Sequence, residues 1–266
     1  MSLYINTNLA AMNAAGNLST TETELAASMG RLSSGLKINS AADDAAGFTI
    51  SENLQSQVNG VSQAQQNTQD GVSLVQTADG SLSEVEQMLQ RIRELAVQYN
   101  NGTLDSTDQL AITTEVGQLA SEIERIGATA QFNGIYLLNS TQTITFQVGA
   151  NGGEVIAVST ISLGSAVGSF SLGSATVIAS IDAAINAVAG QDDTLGAVQN
   201  RLQYTMQNLS TYEENLTAAN SAIVDVNMAS EMTTFTKLQV LSQAGTAVLA
   251  QANHLPQNIL TLLQNM

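Results

Sequence analysis

The chain has no cysteine, no tryptophan, one proline and only seven lysines and arginines among 266 residues. Without cysteine it can form neither a disulfide nor a cysteine-ligated metal site. Seven cations against 23 acids leave a net charge of −16, too few positive groups to neutralise a phosphate backbone, so nucleic acid is excluded as a partner. The acidity reads as solvation. Aromatic residues make up 4% of the chain, so a core must rest on Leu, Ile, Val, Met and Ala, which favours helix bundles. With Pro256 as the only proline, very long helices are permitted. No apolar run reaches the length of a membrane span, so no membrane insertion is expected. The first residues carry neither a basic region nor an unbroken apolar stretch, so no cleaved secretory signal is expected.

What is present is periodic. Leu195, Val198, Leu202, Thr205, Leu209, Tyr212, Leu216, Ala219, Ile223 and Val226 recur in alternating steps of three and four, a seam down one face of a long helix that partner helices must cover. A second long helix is predicted from roughly Ala45 to Tyr99, with Leu54, Val58, Val61, Val72, Val75, Leu82, Val85, Leu89, Ile92 and Ala96 on its stripe and Gln65, Thr68 and Asp79 interrupting it. Asn100-Asn101-Gly102 ends it, and Ser106 with Gln109 reads as the capping box of a third helix that Gly127 terminates. Two β-branched runs, 143–148 and 155–160, flank turn residues and predict a β-hairpin. Residues 161–174 read as loop. A helical pattern restarts near Ala175, with 190–193 either a break or a shift of phase.

The ends are different in character. Residues 3–32 form an amphipathic helix with Ile5, Leu9, Met12, Leu25, Met29 and Leu32 at helical spacing; Glu22, Glu24 and Arg31 are its only charges. Alone it should fray, ordering only against a partner. From Met232 onward the only charged side chain is Lys237. Phe235, Leu238, Leu241, Val248, Leu249, Ala252 and Leu255 are the apolar set of a last helix that Pro256 interrupts. Weakly charged helices at both ends, long coiled-coil helices inside them and a small β insertion in the middle predict a mainly α rod. The expected division is 1–40 with 227–266 as paired terminal helices, and 41–226 as a helical domain with a hairpin at about 141–160. This layout suggests assembly, not catalysis. The single histidine, His254, has no triad partner. Adjacent acids at 43–44, 192–193 and 213–214 read as caps or solvated faces, and no phosphate-binding glycine loop occurs. Catalytic residues, metals and cofactors are therefore not expected. Arg91 and Arg93 with Glu94 form the densest positive cluster, either a solvated helix face or a recognition patch.

Several stretches carry a family likeness: INTNL at 5–9, RLSSGLKIN at 31–39, AADDAAG at 41–47, QRIRELAV at 90–97, QFNG at 131–134, LGAVQNR at 195–201, and QAGTAVLAQAN at 243–253 followed by PQN at 256–258. The chain resembles bacterial flagellin, in a short form without large outer domains. The resemblance implies a structural subunit that polymerises into the flagellar filament for swimming, with Ile5, Leu9, Met12, Leu25, Leu32, Phe235, Leu238, Leu241, Val248, Leu249 and Leu255 in its assembly core. It implies self-association, a flagellar export chaperone on the C-terminal helices, type III export to an extracellular flagellum, and encounters with the filament cap and hook-junction proteins. It also implies recognition of the monomer by Toll-like receptor 5 through Arg91, Leu95 and Glu115. A hook–filament junction protein is the alternative. A secreted enzyme on a coiled-coil stalk would need a polar cluster within 141–174, and a pore former would need a long apolar span; neither is present.

Overall fold

The computed structural model describes residues 7–167, 170–174 and 176–264. It is mainly helical: α1 (Leu9–Ser34), α2 (Ala45–Tyr99), α3 (Ser106–Thr129), α4 (Leu163–Val167), α5 (Val177–Val224) and α6 (Met228–Gln264), with two small antiparallel hairpins between α3 and α4. No helix among the described residues is long and apolar enough to cross a membrane. The chain divides into two compact units, Met1–Gln55 with Leu216–Met266, and Ser56–Asn215.

In the first unit α1 and α6 pack antiparallel along their length. Among the described side chains, the half-buried or buried seam positions of α1 are Ala11, Ala14, Leu18, Thr21, Leu25, Ser28 and Leu32, and those of α6 are Phe235, Leu238, Ser242, Gly245, Leu249 and Ala252. Both sets follow the alternating three–four spacing of a coiled-coil seam. Much of the seam is small, so the backbones approach closely: a Cβ on Gly245 would stand 3.2 Å from Leu18 Cδ1. Arg31 faces Glu231 at 3.9 Å.

Helix α1 starts where Asn8 Oδ1 accepts from the Ala11 amide, and ends where Gly35 takes the left-handed conformation (φ 77°), which costs glycine least. The chain then runs beside the end of α5: Lys37 N donates to Val224 O, and Val226 N donates to Gly35 O. Asp43 accepts from Asn39 N, Ser40 N and Ser40 Oγ, with the serine hydroxyl foremost in pulling its carboxyl below the usual range. Asp44 accepts from Ala46 and Gly47 amides to cap α2. The adjacent acids are therefore caps, one of the two roles their spacing allows.

In the second unit α2, α3 and α5 surround one core that also takes in the hairpin and α4. The polar interruptions in the α2 stripe each have an answer. Thr68 is fully buried and donates to Ala64 O at 2.6 Å. Gln65 donates to Glu213 Oε2 on α5 at 2.8 Å. Asp79 meets Asp192 of α5. Residues 190–193 neither break α5 nor shift its phase: Ile181, Ala184, Val188, Gln191, Leu195, Val198 and Leu202 keep one three–four register, all buried. Gln191 holds its place by donating to Ser159 O at 2.7 Å. Further on the seam drifts. Tyr212 is exposed, and Glu213 takes the inward position, because 3.6 residues per turn does not match a 3.5-residue repeat.

Other boundaries differ from the sequence reading. Asp105, not Ser106, caps α3, accepting from Thr107 and Asp108 amides. Gly127 lies inside α3, where it admits α4: a Cβ there would stand 3.2 Å from Leu163 Cβ. An extra hairpin, β1 (Gln131–Phe132) with β2 (Ile135–Tyr136), turns on Asn133 and Gly134, both at positive φ. The Asn-Gly pair is the signal for such a turn. The second hairpin, β3 (Thr143–Gln147) with β4 (Val155–Ser159), is where the β-branched runs place it, with Ile156 and Val158 buried. Within 161–174, residues Leu163–Val167 form α4.

Helix α6 continues through Pro256 to Gln264. A proline removes the amide that residue 252 would bond. Here Asn8 Nδ2 donates to Ala252 O at 2.8 Å. One asparagine thus caps α1 with its oxygen and supplies with its amide the donor that Pro256 lacks.

Candidate functional site

Two surfaces merit attention, one on each unit. On the terminal pair, the seam accounts for only part of the apolar residues. Leu25, Leu32, Phe235, Leu238 and Leu249 lie along it. Leu9, Met12, Leu241 and Val248 do not: they are exposed, Leu9 to 66% and Val248 to 58%. Ile5 and the side chain of Leu255 lie outside the described residues. Met29, Met228, Met232 and Val240 are exposed too. The helix pair therefore carries one apolar stripe inward and a second set outward, on a surface with few charges to solvate it. Leu9, Met12, Met29, Met228, Met232, Val240, Leu241 and Val248 thus leave apolar surface on the two packed helices that the chain itself does not cover.

On the second unit, Arg91 reaches from α2 to α3. Its Nε and Nη2 donate to Glu115 Oε1 at 3.1 and 3.0 Å, and its Nη1 donates to Glu94 Oε2 at 3.1 Å. Hydrogen bonding to Glu115, then to Glu94, raises the guanidinium pKa, so Arg91 is charged at every working pH. Arg93 bonds Asp182 of α5 at 2.7 Å, and Arg125 is held by Glu122 on its own helix. Leu95 does not share this surface. It is 1% exposed, in the core with Leu89, Ile92 and Ala96. The geometry brings Arg91 and Glu115 together at the surface, while Leu95, one turn further along α2, is packed into the core beside Ile92 and Ala96.

No group of three or more metal-ligating side chains occurs among the described residues. The pair Asp79–Asp192 is the one strongly perturbed titratable contact among them. Its hydrogen bond requires a proton, and with burial and the nearby Glu86 and Asp193 it pushes Asp192 up to about 6. Because the folded protein holds this proton more tightly than the unfolded chain, the contact favours folding at low pH and loses that benefit as pH rises from about 4 through about 6. Asp192→Asn supplies a permanent donor. It should stabilise the protein at pH 8 by about 1–2 kcal/mol, after allowing for water at the site edge, and make little difference at pH 4. Denaturant midpoints of both proteins across that range check this; equal gains at both ends would show that no proton is shared.

Comparison with known proteins places these surfaces in context. Residues 5–143 match the model of the bacterial flagellin N-terminal helical region, and residues 178–263 that of the C-terminal helical region. A flagellin of Halalkalibacterium halodurans is 46% identical, the alignment covering 98% of this chain and 100% of that protein. A flagellin of Bacillus subtilis is 42% identical with the same coverage. A flagellar filament 33 kDa core protein of Treponema phagedenis is 40% identical, again over 98% and 100%. Among solved structures, Bacillus cereus flagellin superposes with a TM-score of 0.51 at 31% identity, covering 58% of this chain and 94% of that one.

Proposed function

Because this chain belongs to the bacterial flagellin family and is by that membership a flagellar filament subunit, we propose that the outward apolar residues of its terminal helices are the surface through which copies polymerise. The observation that carries this is the exposure of Leu9, Met12, Val240, Leu241 and Val248 on a helix pair nearly devoid of charge. In a polymer these residues complete a core that the single chain leaves open. Head-to-tail contacts of one surface on a different one propagate without closing, which yields a helical filament. Leu25, Leu32, Phe235, Leu238 and Leu249 hold the two helices together beneath that surface. The family relationship supports a structural role in swimming, type III export to the flagellum, and an export chaperone that covers α6 beforehand. Subunits then add beneath the filament cap.

The test is seeded growth followed by sedimentation and negative-stain microscopy, on the full chain and on the chain lacking 1–32 and 232–266. Long tubes from the first and none from the second are expected. Growth of the truncated chain would refute the assignment of this surface.

A second role, activation of Toll-like receptor 5 by the monomer, is supported by the exposed Arg91–Glu115 pair joining α2 and α3. In this reading Arg91 and Glu115 touch the receptor, and Leu95 acts from the core by fixing the position of α2. Arg91→Ala and Glu115→Ala should each lower signalling in a receptor reporter assay by about tenfold or more, with unchanged thermal unfolding. Full potency in both variants would exclude this surface.

A further inference from the structure

The terminal pair carries five charged side chains in α1 and α6 besides His254: Glu22, Glu24, Arg31, Glu231 and Lys237. Arg31 and Glu231 face each other. Glu22, Glu24 and Lys237 are exposed, and no hydrogen bond or ion pair engages them among the described residues. Yet they lie at one level. Leu18 packs at Gly245 and Arg31 faces Glu231, so the antiparallel register sets Lys237 opposite Leu25, the neighbour of Glu24. Lys237 and Glu24 therefore sit at about the same height, yet no ion pair joins them within the chain. Lys237 opens onto a shallow hollow of about 450 Å³ that it lines with Thr233, Thr236, Val240 and Leu241, inside the surface assigned above to assembly.

A charge buried in an apolar contact without a partner costs several kcal/mol. In a chain with seven cations, an unpaired lysine within the assembly face is not there to keep the monomer in solution. We propose that Lys237 of one subunit pairs with Glu24 of a neighbouring copy lying alongside it. The proposal rests on the reading of the terminal helices as the polymerisation surface and names the polar contact that orients it. One copy offers the cation and the next offers the Glu24 carboxylate at nearly equal height. The contact is then heterologous, repeats from copy to copy, and fixes how far neighbours slide past each other. The Thr233 and Thr236 hydroxyls are already bonded to their own helix, which leaves the ammonium as the free polar group of the hollow.

Seeded elongation, followed by light scattering, tests this in the full-length chain. Lys237→Glu should slow elongation by about tenfold or more, the effect of losing one oriented pair. Lys237→Gln, which keeps helix propensity and adds no repulsion, should slow it less. Glu24→Lys should be as impaired as Lys237→Glu, and combining the two should bring elongation back to within about threefold of the parent. Circular dichroism on each variant separates lost contacts from lost helix. Unimpaired elongation of Lys237→Glu, or a combined Lys237→Glu/Glu24→Lys variant no faster than Lys237→Glu, overturns the pairing while leaving filament growth of the parent intact. Failure of the parent chain to elongate overturns both this proposal and the reading beneath it.

Discussion

Leu95→Ala is expected to destabilise the unit Ser56–Asn215 by about 2–5 kcal/mol, the cost of emptying a leucine site in a close-packed core. Leu95 is 1% exposed, and it lies on α2 between Ile92 and Ala96, which are fully buried. All three belong to a core to which α3 and α5 contribute Ile123 and Ile181. One turn of α2 is thus anchored by one set of contacts, and helices on either side leave no mobile loop to fill a cavity there. Val97, two residues on and 51% exposed, is the matched control; Val97→Ala should change stability by no more than about 0.5 kcal/mol. Guanidinium unfolding of the full chain, followed by helical signal, checks both. A Leu95→Ala midpoint equal to that of the parent would mean that this part of α2 is not packed as described.

The consequence reaches the receptor reading. Loss of signalling in Leu95→Ala does not identify a contact, because the substitution also loosens the helix that presents Arg91. Arg91→Ala and Glu115→Ala are cleaner, since both side chains are about half exposed and their pairing is a surface one. If Leu95→Ala loses both stability and signalling while Arg91→Ala loses only signalling, the leucine is a positioning residue and the arginine a contact.

How far the sequence foretold this molecule depends on what kind of signal each feature leaves. The bounds of α2 are legible because Asp44 and the Asn100-Asn101-Gly102 run are chemical punctuation. The β3–β4 hairpin is legible because β-branched residues bracket a turn. The seam of α1 is not. Residue size points to Leu9, Met12 and Met29, yet the structure seats Ala11, Ala14 and Ser28 inward and leaves all three large residues exposed. A helix that must satisfy an internal partner and neighbouring copies carries two apolar faces, and periodicity alone cannot say which is which. Gly127 and Gly190 mislead for a related reason. Glycine reads as a stop, but Gly127 is there to let Leu163 approach, and Gly190 sits in a helix whose register Val188, Gln191 and Leu195 already fix. The candidate receptor residues show the same limit. The flagellin resemblance groups Arg91 and Glu115 with Leu95, and only three dimensions separate the surface pair from the core residue.

Asn8→Asp should weaken the terminal helix pair by about 1–3 kcal/mol, the cost of leaving a buried acceptor without its donor. Asparagine and aspartate are near-equal N-caps, so the bond from Ala11 N survives the change. What is lost is the amide that donates to Ala252 O at 2.8 Å, and a carboxylate now confronts that carbonyl. Ala252 is 6% exposed, so water does not readily substitute. The need for Asn8 arises from Pro256, four residues beyond Ala252, which has no amide hydrogen to give. In a Pro256→Ala background the helix supplies its own donor, and Asn8→Asp should then cost much less. The four proteins form a cycle whose coupling isolates this bond from helix propensity, which Pro256→Ala also alters. The readout is the temperature at which seeded filaments dissociate, with amide exchange near Ala11 and Ala252 as a local check. Equal penalties for Asn8→Asp in both backgrounds would mean that the asparagine serves only as a cap. A smaller penalty in the Pro256→Ala background would mean that the proline is tolerated inside α6 because the start of α1 completes it. Neither terminal helix would then be whole without the other, which makes their ordering one cooperative step.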